Sequence, residues 1–219
     1  MIEQLNDNLV RICAMSVNCY LLIDRDQLVL IDAGLSLMSG EIKKAVATCS
    51  TVDRKLSTVL ITHADPDHYG AISALRDTFG PVSVRANARE IPAIEAGNSS
   101  RQLRPKGLEK IFYTAGGLLM KVKGISVTSS LQDHELLPYL GGIEVLPTPG
   151  HTPGHVSFFL AKQKILFCGD SIKVARNKLI PSDGANTWNE ETARESYDAQ
   201  LKLEPTLICG GHCLVRMNG

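Results

Sequence analysis

Apolar residues in this chain come in short runs that alternate with helically spaced ones. VNCYLLI (17–23) and QLVLIDAG (27–34) predict two strands joined by a polar turn at Asp24-Arg25-Asp26. Leu35, Met38, Ile42, Val46 and Cys49 then fall on one helical face. TVLIT (58–62) reads as a short buried strand. After it Tyr69, Ile72, Leu75, Arg76 and Phe79 recur at helical spacing, with Asp67 near the helix start, where a carboxylate is favoured. PVSVRA (81–86) predicts another strand. Residues 87–116 are less regular, carry Pro92, Gly97, Pro105 and Gly107 with a Gly116-Gly117 pair close by, and suit a lid or substrate loop. LLMKV, ISVTSS, IEVLPT, VSFFLA and KILFCGD follow as closely spaced strands, then a Pro/Gly-rich loop at 175–187. Asn189 is placed to cap a helix over 190–202, with Glu190 and Glu191 in its first turn, and TLICG (206–210) is a last strand. The alternation predicts an α/β (α+β) fold, and without a linker-like or low-complexity stretch one domain over 1–219 is expected.

Composition narrows the class. A hydrophobic fraction of 44% with 21% charged residues is that of an ordinary globular protein. Formal net charge is +0, which argues against a nucleic-acid partner, since such proteins carry a basic excess. The N-terminus MIEQLNDNLVRI lacks the basic and apolar regions of a signal peptide, and no apolar run approaches a membrane span. Cysteines 13, 19, 49, 168, 209 and 213 are scattered, with no C-x-x-C pair, and read as reduced thiols of a cytoplasmic protein. A small-molecule substrate, no nucleic acid, no membrane, and a monomer or homodimer are the expectations.

The six histidines are where chemistry enters. His63 and His68 lie in THADPDHYG (62–70), His151 and His155 in TPGHTPGH, and His212 in CGGH; only His134 stands outside such a context. Each of the five follows or ends a predicted strand, as do Asp32 in LIDAG and Asp170 in FCGD. Strand ends present side chains from distant parts of a chain to one point, and imidazole with carboxylate suits zinc, iron or manganese. Any one strand-end histidine is ordinarily structural. Several such stations in one chain, each beside Gly or Pro that lets the backbone turn, point instead to a metal site.

In order, Asp32 in LIDAG, HADPDH at 63–68, His151 in TPGH, Asp170 in FCGD and His212 in GGH resemble the five motifs of the metallo-β-lactamase superfamily. VNCY ahead of them is similar too, and TPGHTPGH is closer to hydroxyacylglutathione hydrolases and lactonases than to true β-lactamases. The resemblance implies a four-layer αββα sandwich and a binuclear site for two divalent metal ions, zinc expected, with iron or manganese as alternatives. It implies one ion on His63, Asp65 and His151, a second on Asp67, His68 and His212, and Asp170 between them. Asp32 would orient a ligand histidine, and His155 would support the site from behind.

The resemblance also implies hydrolysis: a metal-bound hydroxide attacks an ester, lactone, thioester or related electrophile, with Asp67 accepting a hydrogen bond from the nucleophile. An iron-dependent oxidoreductase and a non-catalytic metal-binding domain are the competing expectations. One position departs from the pattern, since Asp65 stands where histidine is usual. With two divalent ions, Asp65, Asp67, Asp170 and one hydroxide, the formal charges cancel; a histidine at 65 would leave one positive charge. The exchange is therefore expected to lower Lewis acidity and favour iron or manganese. After His212 the chain reads CLVRMNG, so no C-terminal substrate domain is expected and a glutathione thioester is less favoured. Tyr69, Arg101, Arg104, Lys106, Phe112, Tyr113 and Trp188 are expected near the rim, as packing aromatics or solvated charges.

Overall fold

The computed structural model describes residues 1–102, 122–175 and 178–217. Strands β1 (Ile2–Asn6), β2 (Leu9–Ala14), β3 (Val17–Ile23), β4 (Gln27–Ile31), β5 (Lys55–Leu60), β6 (Ser83–Asn87) and β7 (Ser129–Leu131) form a seven-stranded sheet in chain order. A six-stranded sheet runs β15-β14-β11-β10-β9-β8, from β8 (Leu136–Leu137), β9 (Ile143–Pro147), β10 (Val156–Leu160), β11 (Ile165–Gly169), β14 (Leu207–Gly210) and β15 (Leu214–Arg216). β12 (Ile172–Ala175) and β13 (Lys178–Pro181) make a separate hairpin.

Alternation within each strand builds three cores from these two sheets. Leu21, Leu28 and Leu30 face one way, into a cluster with Ile42 and Val46 of α1 (Ser39–Cys49), Ile72 and Leu75 of α3 (Ile72–Phe79), and Ile94 of α4 (Ile91–Ala96). Tyr20, Leu22, Val29 and Ile31 face the other way, onto Val145, Phe158 and Phe167 of the second sheet. The far side of that sheet sends Leu146, Phe159, Leu166 and Ile208 toward Tyr197 and Leu201 of α5 (Glu190–Leu201). Helix, sheet, sheet and helix are thus the four layers, and a strand between two cores must be apolar at every position. VSFFL and ILFCG are buried throughout for this reason.

Several elements differ from their sequence expectation. The first helix begins at Ser39, after a 3-10 turn (Ser36–Met38), so Leu35 packs on the core from outside it. The pattern from Asp67 to Phe79 is split into α2 (Pro66–Tyr69) and α3, because Gly70 lies against backbone of the Gly34–Ser36 turn, where a side chain would collide. The irregular stretch after residue 87 contains α4, with Pro92 in its first turn, where the missing N–H costs nothing. The loop at 175–187 begins with the β12–β13 hairpin, and ISVTSS is strand only from Ser129. LLMKV, apart from Val122, lies outside the described residues, as do Arg104, Lys106, Phe112 and Tyr113. Asn189 caps α5 as expected, its side chain accepting from the N–H groups of Glu191 and Thr192.

The site lies where strands end. β4 delivers Asp32, β5 delivers Thr62 and His63, β11 delivers Asp170, and β14 delivers His212. β4 and β5 are parallel, as are β11 and β14, so each pair ends on one edge. The inter-sheet core holds those edges together. Phe158 is fully buried at its centre, and Phe158→Ala is expected to destabilise the fold by about 3–5 kcal/mol. Urea unfolding would show this; a loss under about 1 kcal/mol would mean the two sheets do not depend on that contact.

Candidate metal centre

Four histidines share one arrangement. The Nδ1 of His68 lies 2.8 Å from Asp32 Oδ2, and that of His212 lies 2.8 Å from the Ser16 carbonyl oxygen. Both partners only accept, so Nδ1 carries the proton and donates. His63 Nδ1 sits 2.9 Å from Thr62 Oγ1, whose hydroxyl donates to Asp32, leaving the oxygen to accept from the ring. His151 Nδ1 pairs with Ser182 Oγ at 2.9 Å. Each ring is therefore held by its outer edge, and each Nε2 turns inward, as ligand imidazoles require.

The carboxylates fill the spaces between. Asp65 Oδ2 is 3.3 Å from His63 Nε2 and 3.1 Å from His151 Nε2. Asp67 Oδ2 is 3.9 Å from His68 Nε2 and 3.4 Å from His212 Nε2. Asp170 lies between the two trios, with Oδ1 3.5 Å from His68 Nε2 and Oδ2 3.6 and 3.3 Å from the Nε2 atoms of His151 and His212. Ligand-type atoms of His63, Asp65 and His151 fall within 4.8 Å of one another, as do those of Asp67, His68 and His212. His63 Nε2, His68 Nε2 and Asp170 Oδ1 are buried without a hydrogen-bond partner among the described residues. Orphaned buried polar atoms are costly, and three aimed at one space fit a cation.

The remaining expected residues stand behind this cluster. Asp32 accepts from the N–H and hydroxyl of Thr62 as well as from His68, and its own backbone is left-handed, φ 55°. That conformation is strained for a residue other than glycine and is held by those bonds. His155 spends both nitrogens: Nε2 accepts from the Asp170 N–H, and Nδ1 pairs with Thr148 Oγ1. Both ring nitrogens being engaged, it supports Asp170 from behind. Gly169 allows this approach, since its φ is +47° and a Cβ there would press on the His155 ring. Asn18 and Tyr20 of the VNCY run donate to the Gly210 carbonyl, tying the His212 turn to the first sheet.

Two residues with no motif of their own also support the site. Glu90 is fully buried and accepts from the Ala64 N–H and Ser100 hydroxyl on one oxygen and from the Gly154 N–H on the other. It joins the His63 loop to the His151 loop. Arg101, expected at the rim, is instead buried and paired with Asp65. Tyr69, also expected there, is buried and donates to the Asn98 carbonyl, while Trp188 is exposed and its backbone N–H donates to the His151 carbonyl.

Electrostatics follow from this crowding. Burial disfavours charge on His68, but Asp32, Asp170 and Asp67 outweigh it and raise its pKa to about 9. Burial likewise opposes charge on His212, and Asp170 and Asp67 raise it to about 11. His151 is pushed the other way, to about 4, by burial first, with Arg101 and His63 adding to it. Burial raises Asp65, yet His63, His151 and Arg101 hold it well below the usual carboxylate range.

A family model described as the metallo-beta-lactamase superfamily matches residues 14–212. The chain belongs to the metallo-beta-lactamase superfamily. A probable metallo-hydrolase of Bacillus subtilis (strain 168), YflN, is 27% identical over 84% of this chain and 74% of that protein. The hydroxyacylglutathione hydrolase GloC of Haemophilus influenzae is 26% identical over 76% of this chain and 71% of its own length. Among solved structures, a metallo-beta-lactamase family protein from Thermus thermophilus superposes with a TM-score of 0.71 at 22% identity, covering 96% of this chain and 75% of that one. Among the described residues no helix is long and apolar enough to cross a membrane.

Two measurements test the site as drawn. Glu90→Ala would leave the Ala64 and Gly154 N–H groups unpaired and is expected to cost about 2–5 kcal/mol in urea unfolding; a loss under about 0.5 kcal/mol would remove Glu90 from the support of the site. Metal uptake should also expel protons. With pKa values near 9 and 11, His68 and His212 are cationic at neutral pH in the metal-free protein. A metal needs their neutral form, so affinity should rise with pH from 6 to 9. Zinc titration by calorimetry in buffers of different ionisation enthalpy reads the release directly, and uptake without proton release would contradict this charge distribution.

Proposed function

We propose that this protein is a metal-dependent hydrolase acting on a small-molecule ester, lactone, thioester or related carbonyl electrophile. The observation that carries the reading is the convergence of four inward Nε2 atoms on three carboxylates. His63, Asp65 and His151 would hold one divalent ion and Asp67, His68 and His212 a second, with Asp170 shared; zinc suits this nitrogen-rich donor set. Such ions supply a water that is nucleophilic near neutral pH and a Lewis acid for the carbonyl oxygen. The names of the relatives, a probable metallo-hydrolase and a hydroxyacylglutathione hydrolase, support the same class.

The chain's own residues divide the remaining work. His63, His68 and His151 have fully buried side chains, whereas that of His212 is 42% exposed and Asp67 16%. Substrate would therefore enter from the His212 side, beside the exposed Met15 and the Ser16 carbonyl that holds the His212 ring. Burial raises the Asp67 carboxyl, but His68 and His212 more than offset it, so Asp67 stays ionised at neutral pH. An ionised carboxylate at the open side can orient an attacking water by accepting its proton in a hydrogen bond. Asp170, fixed through its N–H by His155, keeps its two oxygens toward the two trios.

The test pairs elemental analysis with a panel of lactones, thioesters, β-lactams and phosphodiesters. Two zinc ions per chain and turnover of at least one carbonyl substrate are expected. Iron with oxygen consumption and no hydrolysis would overturn the reading in favour of redox chemistry. His212→Ala should bring turnover close to background while circular dichroism shows the metal-free protein still folded, though less stable, because Asp67 and Asp170 lose a cationic partner. Undiminished turnover would exclude His212 from the centre.

A further inference from the structure

Among the described residues, Asp65 is the candidate metal ligand that a guanidinium contacts. The Arg101 guanidinium lies against it in a two-pronged contact, Nη2 to Oδ2 at 2.8 Å and Nη1 to Oδ1 at 2.5 Å. The Arg101 side chain is only 2% exposed. Ser99 Oγ adds a bond to Oδ1 at 2.7 Å, so that oxygen is taken up by Ser99 and Arg101. Oδ2, which accepts from Arg101 Nη2 on one side, faces His63 and His151 on the other. Arg101 is itself anchored, its Nε donating to the Asn186 carbonyl at 2.7 Å. The next residue, Thr187, pairs with Ser182, the residue that holds His151.

We propose that Asp65 and Arg101 act as one unit in place of the imidazole expected at position 65, with Arg101 a positioning residue that aims Oδ2 at the first metal and restores the positive charge the exchange removes. The inference rests on the metal-centre reading above. A carboxylate free to rotate could turn either oxygen inward; a fork-shaped guanidinium bound to both oxygens fixes the plane of the group. The charge count changes with it. Asp65 alone makes the two-metal site formally neutral, whereas Asp65 with buried Arg101 returns it to the one positive charge of an all-histidine first site. The electrostatic reason to expect iron or manganese over zinc is thereby removed. Outer partners of metal ligands ordinarily carry this orienting role, and losing one typically costs 10–100-fold in affinity.

The pair can be tested by calorimetric titration of metal-free protein with zinc chloride, with melting of the same samples to verify folding. Wild type should take up two ions. Arg101→Met should weaken one of them about tenfold or more and leave the other within about threefold, and Arg101→Lys should recover part of the loss. Asp65→His alone would set an imidazole against an unpaired buried guanidinium and should bind the first ion poorly; Asp65→His with Arg101→Met should recover it. This double variant leaves no lone buried charge, so the comparison stands even if Arg101→Met fails to fold. The proposal is overturned if Arg101→Met binds both ions as wild type does, if both sites weaken equally, if Arg101→Lys is no better than Arg101→Met, or if the Asp65→His effect is the same with Arg or Met at 101. Wild type that binds no zinc would overturn the metal-centre reading itself, whereas two tight sites with an indifferent Arg101 would overturn only the pairing.

Discussion

The structure depends on one constraint: each of four imidazoles is held by its Nδ1 edge so that its Nε2 must face inward. Asp32, Thr62, Ser182 and the Ser16 carbonyl supply the four holds, and they come from four different parts of the chain. Fixing a ring this way sets its orientation and removes its rotation before any ligand arrives, which is what preorganisation requires. The cost is that His63 Nε2, His68 Nε2 and Asp170 Oδ1 are buried without a hydrogen-bond partner among the described residues. Such an arrangement is costly on its own, and a bound cation would offset that cost.

The fold serves this constraint through its strand ends. Three stacked cores lock two sheets face to face, and the carboxyl ends of β4, β5, β11 and β14 deliver Asp32, His63, Asp170 and His212 to a common edge. Shorter ties then set the fine geometry. Glu90 joins the two ligand loops through their backbone N–H groups, and Asn18 and Tyr20 fasten the His212 turn. Arg101 converts an altered position into an oriented one, so Asp65 is best understood together with its partner and not as a lone substitution.

Much of this was legible in the sequence because metal-site residues sit in compact motifs beside turn-forming residues. THADPDHYG, TPGHTPGH and CGGH announce themselves locally. The four-layer architecture came from resemblance, since fully apolar strands such as VSFFL carry no alternation to say which face meets which core. β1 and β2 give no uninterrupted apolar run, because β1 is largely exposed and polar and Arg11 breaks β2. α4 was hidden by its Pro and Gly neighbours. Glu90 and Arg101 escaped for a different reason. Their roles come from contacts with residues distant in sequence, such as Gly154 and Asn186, and a buried charge has no local signature. The unusual Asp at position 65 points in the sequence to an altered charge balance, but not to the cation that meets it.

The central claim is that seven side chains form two adjoining cation sites. Anomalous X-ray diffraction from zinc-loaded crystals, measured on both sides of the zinc absorption edge, tests it most directly. Two anomalous peaks are expected, one enclosed by His63, Asp65 and His151 and one by Asp67, His68 and His212, with the Asp170 carboxylate between them. A loaded crystal with no peak among these residues, or with zinc held elsewhere on the chain, would contradict the account.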